Sequence, residues 1–129
     1  GETLEDGLRV ATELAARERH AILDLLGEFV ADEAAAAAMA EGVRDAIRGL
    51  VSVPEPRVLS IKPTQLGLGL GTEIALAHLR SLAEEAAELV EEATAHEEAE
   101  AMQAYKTESS TGTSLGDLLK QQMSEQDDA

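Results

Sequence analysis

Arg57-Val58-Leu59-Ser60-Ile61-Lys62-Pro63-Thr64-Gln65-Leu66-Gly67-Leu68-Gly69-Leu70-Gly71-Thr72-Glu73 is the stretch on which the fold turns. Five residues that favour an extended backbone end at a lysine. A proline-led loop rich in glycine follows, and Thr72 stands in place to cap an alanine- and glutamate-rich helix. Strand, loop and helix succeed one another. Pro63 cannot continue a sheet ladder and biases Lys62 towards an extended backbone, so the strand is expected to stop at Lys62. A period of two puts Val58, Ser60 and Lys62 on one face, Leu59 and Ile61 on the other. In parallel α/β architecture ligands sit at the carboxyl ends of strands. With Leu59 and Ile61 packed under helices, Lys62 would point into a barrel mouth or crevice. The competing reading is a solvated surface lysine at the end of a short strand.

The 129 residues suit one domain with a modest core. A complete eightfold βα barrel, at about 250 residues, does not fit. The formal net charge is -16, from 26 acidic and 10 basic residues. Such a field repels nucleic acid and anionic membrane, so neither is expected as a partner. One Phe, one Tyr and no Trp leave the core to Leu, Val, Ile and Ala, which bury little area per residue and predict marginal stability. The absence of cysteine excludes disulfides, thiolate catalysis and cysteine metal sites. No apolar run approaches the roughly 20 residues that span a bilayer, and Gly1-Glu2-Thr3 does not open a signal peptide, so a cytoplasmic protein is expected. The chain starts without an initiator methionine and enters a helix cap almost at once, which reads as an excised or processed piece.

Thr3 and Asp6 form a T-x-x-D capping box, and Leu4, Leu8, Ala11 and Leu14 share one side of a helix expected over residues 4–17. Residues 21–25 read as a short apolar strand broken by Gly27, with Ile22 and Asp24 on one face. Asp24 thus stands near a strand's carboxyl end, as Lys62 does; it also suits the common role of binding nearby loop amides. Asp32 caps a second helix over 32–49, with Met39, Val43, Ile47 and Leu50 as its buried stripe. Pro54 and Pro56 force an extended connector into the strand at 57–62. A third helix, over 73–100, carries Leu76, Leu79, Ala83, Ala86 and Val90 on one face, with Arg80, Glu84, Glu85 and Glu88 elsewhere. Helix, strand, helix, strand, helix argues a βα repeat with parallel strands. Beyond Glu91 the chain turns acidic. Glu92 and His96 stand at i, i+4, yet without a second His or a matching helix they read as a solvated face rather than a metal site. The tract from Thr107 to Ser114 is polar, and Ser114 with Asp117 caps a short helix through Leu115, Leu118, Leu119 and Met123. Residues 107–129 are expected to be largely mobile.

Gly1-Glu2-Thr3-Leu4-Glu5-Asp6, Leu23-Asp24-Leu25-Leu26-Gly27-Glu28 and Ser60-Ile61-Lys62-Pro63-Thr64-Gln65-Leu66-Gly67-Leu68, in this order and spacing, resemble an amino-terminal region of the bacterial proline dehydrogenase family. The resemblance covers roughly residues 1 to 90. It implies a distorted βα barrel that binds FAD and oxidises proline to pyrroline-5-carboxylate. It also implies that Lys62 pairs with the proline carboxylate and that Asp24 lies near the same site, with no catalytic residue assigned. The family continues into further strands that hold the flavin and supply arginines and a tyrosine; here an acidic helix and tail follow Glu91 instead. The expected fold is therefore α/β, a helix-rich partial βα-barrel fragment with two short parallel strands over 1–93, then an acidic helical and disordered tail over 94–129. FAD is not expected to bind the isolated chain.

The function this implies is a fragment or split subunit of a flavin-dependent proline dehydrogenase, silent alone, taking proline once a second chain completes the barrel. The alternative is a non-catalytic acidic protein that meets a protein partner through its amphipathic helices. Its tail, with Ala104-Tyr105-Lys106 and Leu115-Gly116-Asp117-Leu118-Leu119, resembles the carboxyl-terminal extension of bacterial OB-repeat ribosomal RNA-binding proteins, without an RNA-binding surface of its own. A decayed reading frame is the third reading. Whether a neighbouring reading frame encodes the missing half separates them.

Overall fold

Ile22–Asp24 (β1) and Val58–Ser60 (β2) pair in parallel, with Ile22 opposite Val58, Leu23 opposite Leu59 and Asp24 opposite Ser60. The computed structural model describes residues 2–111, 119–120 and 122–124. Around the strands lie helices Leu4–Ala15 (α1), Glu33–Leu50 (α2) and Thr72–Thr111 (α3), with a 3₁₀ turn at Pro63–Leu66. The chain divides into two units, residues 1–91 and 92–129. Among the described residues no helix is long and apolar enough to cross a membrane.

Helices α1 and α2 start where their caps stand. The Asp6 backbone N–H donates to Thr3 Oγ1 at 3.2 Å, and the Ala35 N–H donates to Asp32 Oδ1 at 2.7 Å. The end of α1 differs from the expected 4–17. Glu18 takes φ 57°, and the Arg19 N–H turns back to the Leu14 carbonyl at 2.9 Å, closing the helix two residues early. Glycine usually marks that left-handed position, so a glutamate there gave no signal. Both strands are shorter than the expected 21–25 and 57–62, because the ladder covers three residues of each. Thr72 is the first residue of α3 rather than the residue before it, and α3 runs beyond residue 100 and through the start of the polar tract. The box at Ser114 and Asp117, and most of the segment expected to be mobile, lie outside the described residues.

Leu23 and Leu59 point to the helix side of the sheet and pack against the core, which has two clusters. One holds Ala40, Val43, Leu66, Ala75 and Leu82, with Leu25, Ile47, Leu59 and Ile61 packed against it. The other holds Ala11, Leu50 and Val53, with Leu8, Ala21, Leu23 and Leu59 against it. Leu59 contributes to both. On α2 the fully buried line is Ala36, Ala40, Val43, Ala46 and Leu50, while Met39 and Ile47 from the expected stripe are half-buried. Alanines let the helix approach the Pro63–Leu66 turn closely, so the bulkier residues flank the contact instead of filling it.

The inward face of α3 also differs from the expected one. Ala75 and Leu82 are buried and Ile74, His78 and Glu85 half-buried, whereas Leu76, Leu79 and Val90 are exposed. Glu85 faces α2, where its carboxylate pairs with Arg44 and, at 2.6 Å, with Arg48 Nε; Arg44 also donates to Ser81 Oγ at 3.0 Å. With this face turned inward, Leu76 and Leu79 lie along an apolar groove with Ile61, Pro63, Leu66 and Leu68. In the second unit the described helical side chains are exposed apart from the half-buried Ala93, and His96 Nε2 lies 3.2 Å from Glu100 rather than on Glu92.

Candidate functional site

Partner residues in a parallel ladder point to the same side, so Asp24 and Ser60 share a face, and Lys62, two residues on, shares it too. Lys62 is still extended, at φ -110° and ψ 127°, although the ladder has ended at Ser60. Two residues of strand rise by about 6.6 Å, a distance a lysine side chain can reach back across. The structure brings the two residues together: Lys62 Nζ donates to Asp24 Oδ1 at 3.0 Å and Oδ2 at 2.7 Å. Glu28 Oε1 stands 3.6 Å from the same nitrogen. Asp24 therefore binds the lysine ammonium, not nearby loop amides as the alternative reading had it.

The three side chains are partly open to solvent, at 35% for Lys62, 38% for Asp24 and 45% for Glu28. The hydrogen bond to Asp24 raises the Lys62 pKa above the ordinary lysine value; partial burial opposes this, and the charges of Asp24 and Glu28 add to it. The ammonium stays charged at neutral pH. A lysine ammonium has three donors, and the site is partly open, so an incoming carboxylate can displace one of the Asp24 or Glu28 contacts. Beside Asp24 opens a depression of about 690 Å³, lined by Thr3, Leu4, Leu23, Leu25, Gly42 and Leu59. Another hollow, of about 320 Å³, lies at the amino ends of the strands between Arg19, His20 and Arg57.

The turn after Lys62 holds a residue that sequence reasoning missed. Gln65 is fully buried; its Oε1 accepts from the Lys62 backbone N–H at 3.2 Å, and its Nε2 donates to the Leu25 carbonyl. Gly67 closes the turn at φ 94°, with the Leu68 N–H on the Pro63 carbonyl at 3.1 Å. A Cβ at Gly67 would lie 3.2 Å from Ala36 Cβ and 3.1 Å from Ile74 Cγ2, so both the conformation and the space call for glycine. Glu28 stood within the quoted Leu23–Glu28 motif without a role. Its separation from Lys62, 34 residues along the chain, gave no periodic signal.

No family model matches the chain. Two curated proteins do: Proline dehydrogenase 1 of Bacillus subtilis subsp. natto and Proline dehydrogenase 1 of Bacillus subtilis (strain 168), each 35% identical over 82 residues. The match covers 64% of this chain and 27% of each relative. The chain thus spans about a quarter of the length of the curated relatives it matches, and the similarity supports a relationship to proline dehydrogenase over that stretch.

Proposed function

We propose that this chain supplies the opening βα units of a proline dehydrogenase barrel and that Lys62 receives the carboxylate of proline. The observation that carries the reading is the Lys62–Asp24 pair at the carboxyl ends of two parallel strands, in a chain related to proline dehydrogenase. Asp24 holds the ammonium in place before substrate arrives, so little ordering remains when the carboxylate binds. Oriented by that contact, the ring would present its reacting carbon to an oxidant supplied elsewhere.

FAD is the cofactor the family implies, and the described residues do not fit it by themselves. At the strand ends they set two carboxylates, Asp24 and Glu28, against one ammonium, so a dinucleotide pyrophosphate meets net negative charge. The flavin and the remaining carboxylate partners would come from further barrel elements. Exposed apolar side chains support an unfinished assembly: Ile22 and Val58 on the strands, Leu26 after β1, and Leu68, Leu76 and Leu79 along the groove.

The test is reconstitution. The isolated chain is expected to copurify without flavin and to leave proline unoxidised. Mixed with the complementary carboxyl-terminal part of a relative, it should give proline-dependent flavin reduction. Lys62→Ala in that complex is expected to raise the KM for proline on the order of tenfold or more, the worth of a charge-assisted hydrogen bond, with a smaller effect on kcat. An unchanged KM removes the role given to Lys62. The non-catalytic alternative draws on the exposed helical residues Met102 and Tyr105; a protein partner captured with no response to proline would favour it.

A further inference from the structure

The ladder ends at Asp24 and Ser60, yet the residues that make the pair, Asp24 and Lys62, sit at and beyond that end. Past it, Leu25 leaves one strand and Lys62 enters a turn, with no ladder bond between them. Gln65 fills the gap. Its carboxamide accepts from the Lys62 N–H at 3.2 Å and donates to the Leu25 carbonyl, as a peptide group in a further row of the ladder would. Its own backbone N–H donates to the Lys62 carbonyl at 2.9 Å, closing the turn on the same residue.

A side chain serving only to fill that space would be apolar, as its neighbour Leu66 is, because a buried amide is costly unless both ends are bonded. Both ends are bonded, and each bond falls on a backbone group next to or within a member of the pair: Leu25 follows Asp24, and Lys62 is itself the donor. We propose that Gln65 is a positioning residue whose buried carboxamide locks the end of β2 to the end of β1 and so holds the Lys62 ammonium on the Asp24 carboxylate. The functional weight of this rests on the proposed carboxylate site at Lys62. The lock itself is a property of the chain alone.

The experiment follows the Lys62 side-chain carbon signals by NMR through their alkaline titration, in the full 129-residue chain. Asp24→Asn sets the reference shift, the part of the raised midpoint that is lost when the Asp24 pair is removed and Glu28 stays in place. Gln65→Met, close in volume and able to make neither bond, is expected to lose at least half of that shift. Leu82→Ala, which loosens the same core without touching either bond, is expected to keep it. A Gln65→Met chain with the full elevation, or a Leu82→Ala chain that loses as much, would assign Gln65 to packing and overturn the proposal. Should Gln65→Met fail to fold, the wild type decides. A slowly exchanging Gln65 carboxamide, scalar-coupled to the Leu25 carbonyl carbon, supports the lock, and a freely exchanging one overturns it. None of these readouts needs proline oxidation. Failure of any reconstituted complex to use proline therefore sinks the reading of the site and leaves Gln65 judged by the ammonium alone.

Discussion

Lys62 carries its charge among carboxylates, and the sign of the resulting pH dependence follows directly. Its folded pKa lies above the ordinary 10.5, so the pairing contributes stability that is fully present below 10.5 and is lost as pH rises through the higher folded value. Chemical denaturation of wild type and Asp24→Asn across that alkaline range is expected to show the wild-type advantage shrinking to nothing. An advantage that persists beyond the folded pKa would refute the assignment. The strand-end positions of both residues were legible in the sequence from strand period and the proline stop; their pairing was not, and Asp24 read as readily as a binder of loop amides. Nor was Gln65 legible. Between Pro63 and Gly67 it reads as loop, and its burial depends on the Leu25 carbonyl, 40 positions away in the chain.

At the scale of the helix, α3 shows how a correct element can carry the wrong face. It offers two apolar stripes, and periodicity chose the one with the larger residues, Leu76 and Leu79. The structure buries Ala75 and Leu82 instead, and on the same side Glu85 meets Arg44 and Arg48 of α2. Leu82→Ala is therefore expected to cost about 2–5 kcal/mol in urea unfolding. Leu79→Ala should stay within about 0.5 kcal/mol. Equal costs would contradict the observed rotation. The Glu85 carboxyl is held below its ordinary value, first by the Arg44 hydrogen bond and then by Arg48, against the opposing effect of burial. Its contribution is present above about 4.5 and disappears as pH falls through the lowered folded value. Glu85→Gln should lower the melting temperature at neutral pH and converge with wild type in acid. Caps at Thr3 and Asp32 were readable because they are local; the rotation of α3 was not, since its inward face meets residues far away in the chain, as Glu85 meets Arg44 across 41 residues.

For the molecule as a whole, the division at residue 91 yields a direct expectation. Both core clusters lie within the first unit, so deletion of residues 92–129 is expected to shift unfolding of the remainder by no more than about 0.5 kcal/mol. A chain that fails to fold after this deletion would show that the second unit supports the first. The parallel pairing was legible from the order of elements. How many strands finally share the sheet was not, because nothing within a two-strand ladder states the number of its neighbours.

That ladder has a consequence for the cell rather than for chemistry. Each strand pairs on one side, among the described residues, and Ile22 and Val58 remain exposed. Bare strand rims recruit whatever extended segment they meet first, including another copy of themselves. On the proposed reading, the chain without its complement is expected to behave as an orphan subunit, held by chaperones and cleared by proteases. Co-expression of that complement should raise its steady-state level several-fold in a pulse-chase measurement, with synthesis unchanged and turnover slowed.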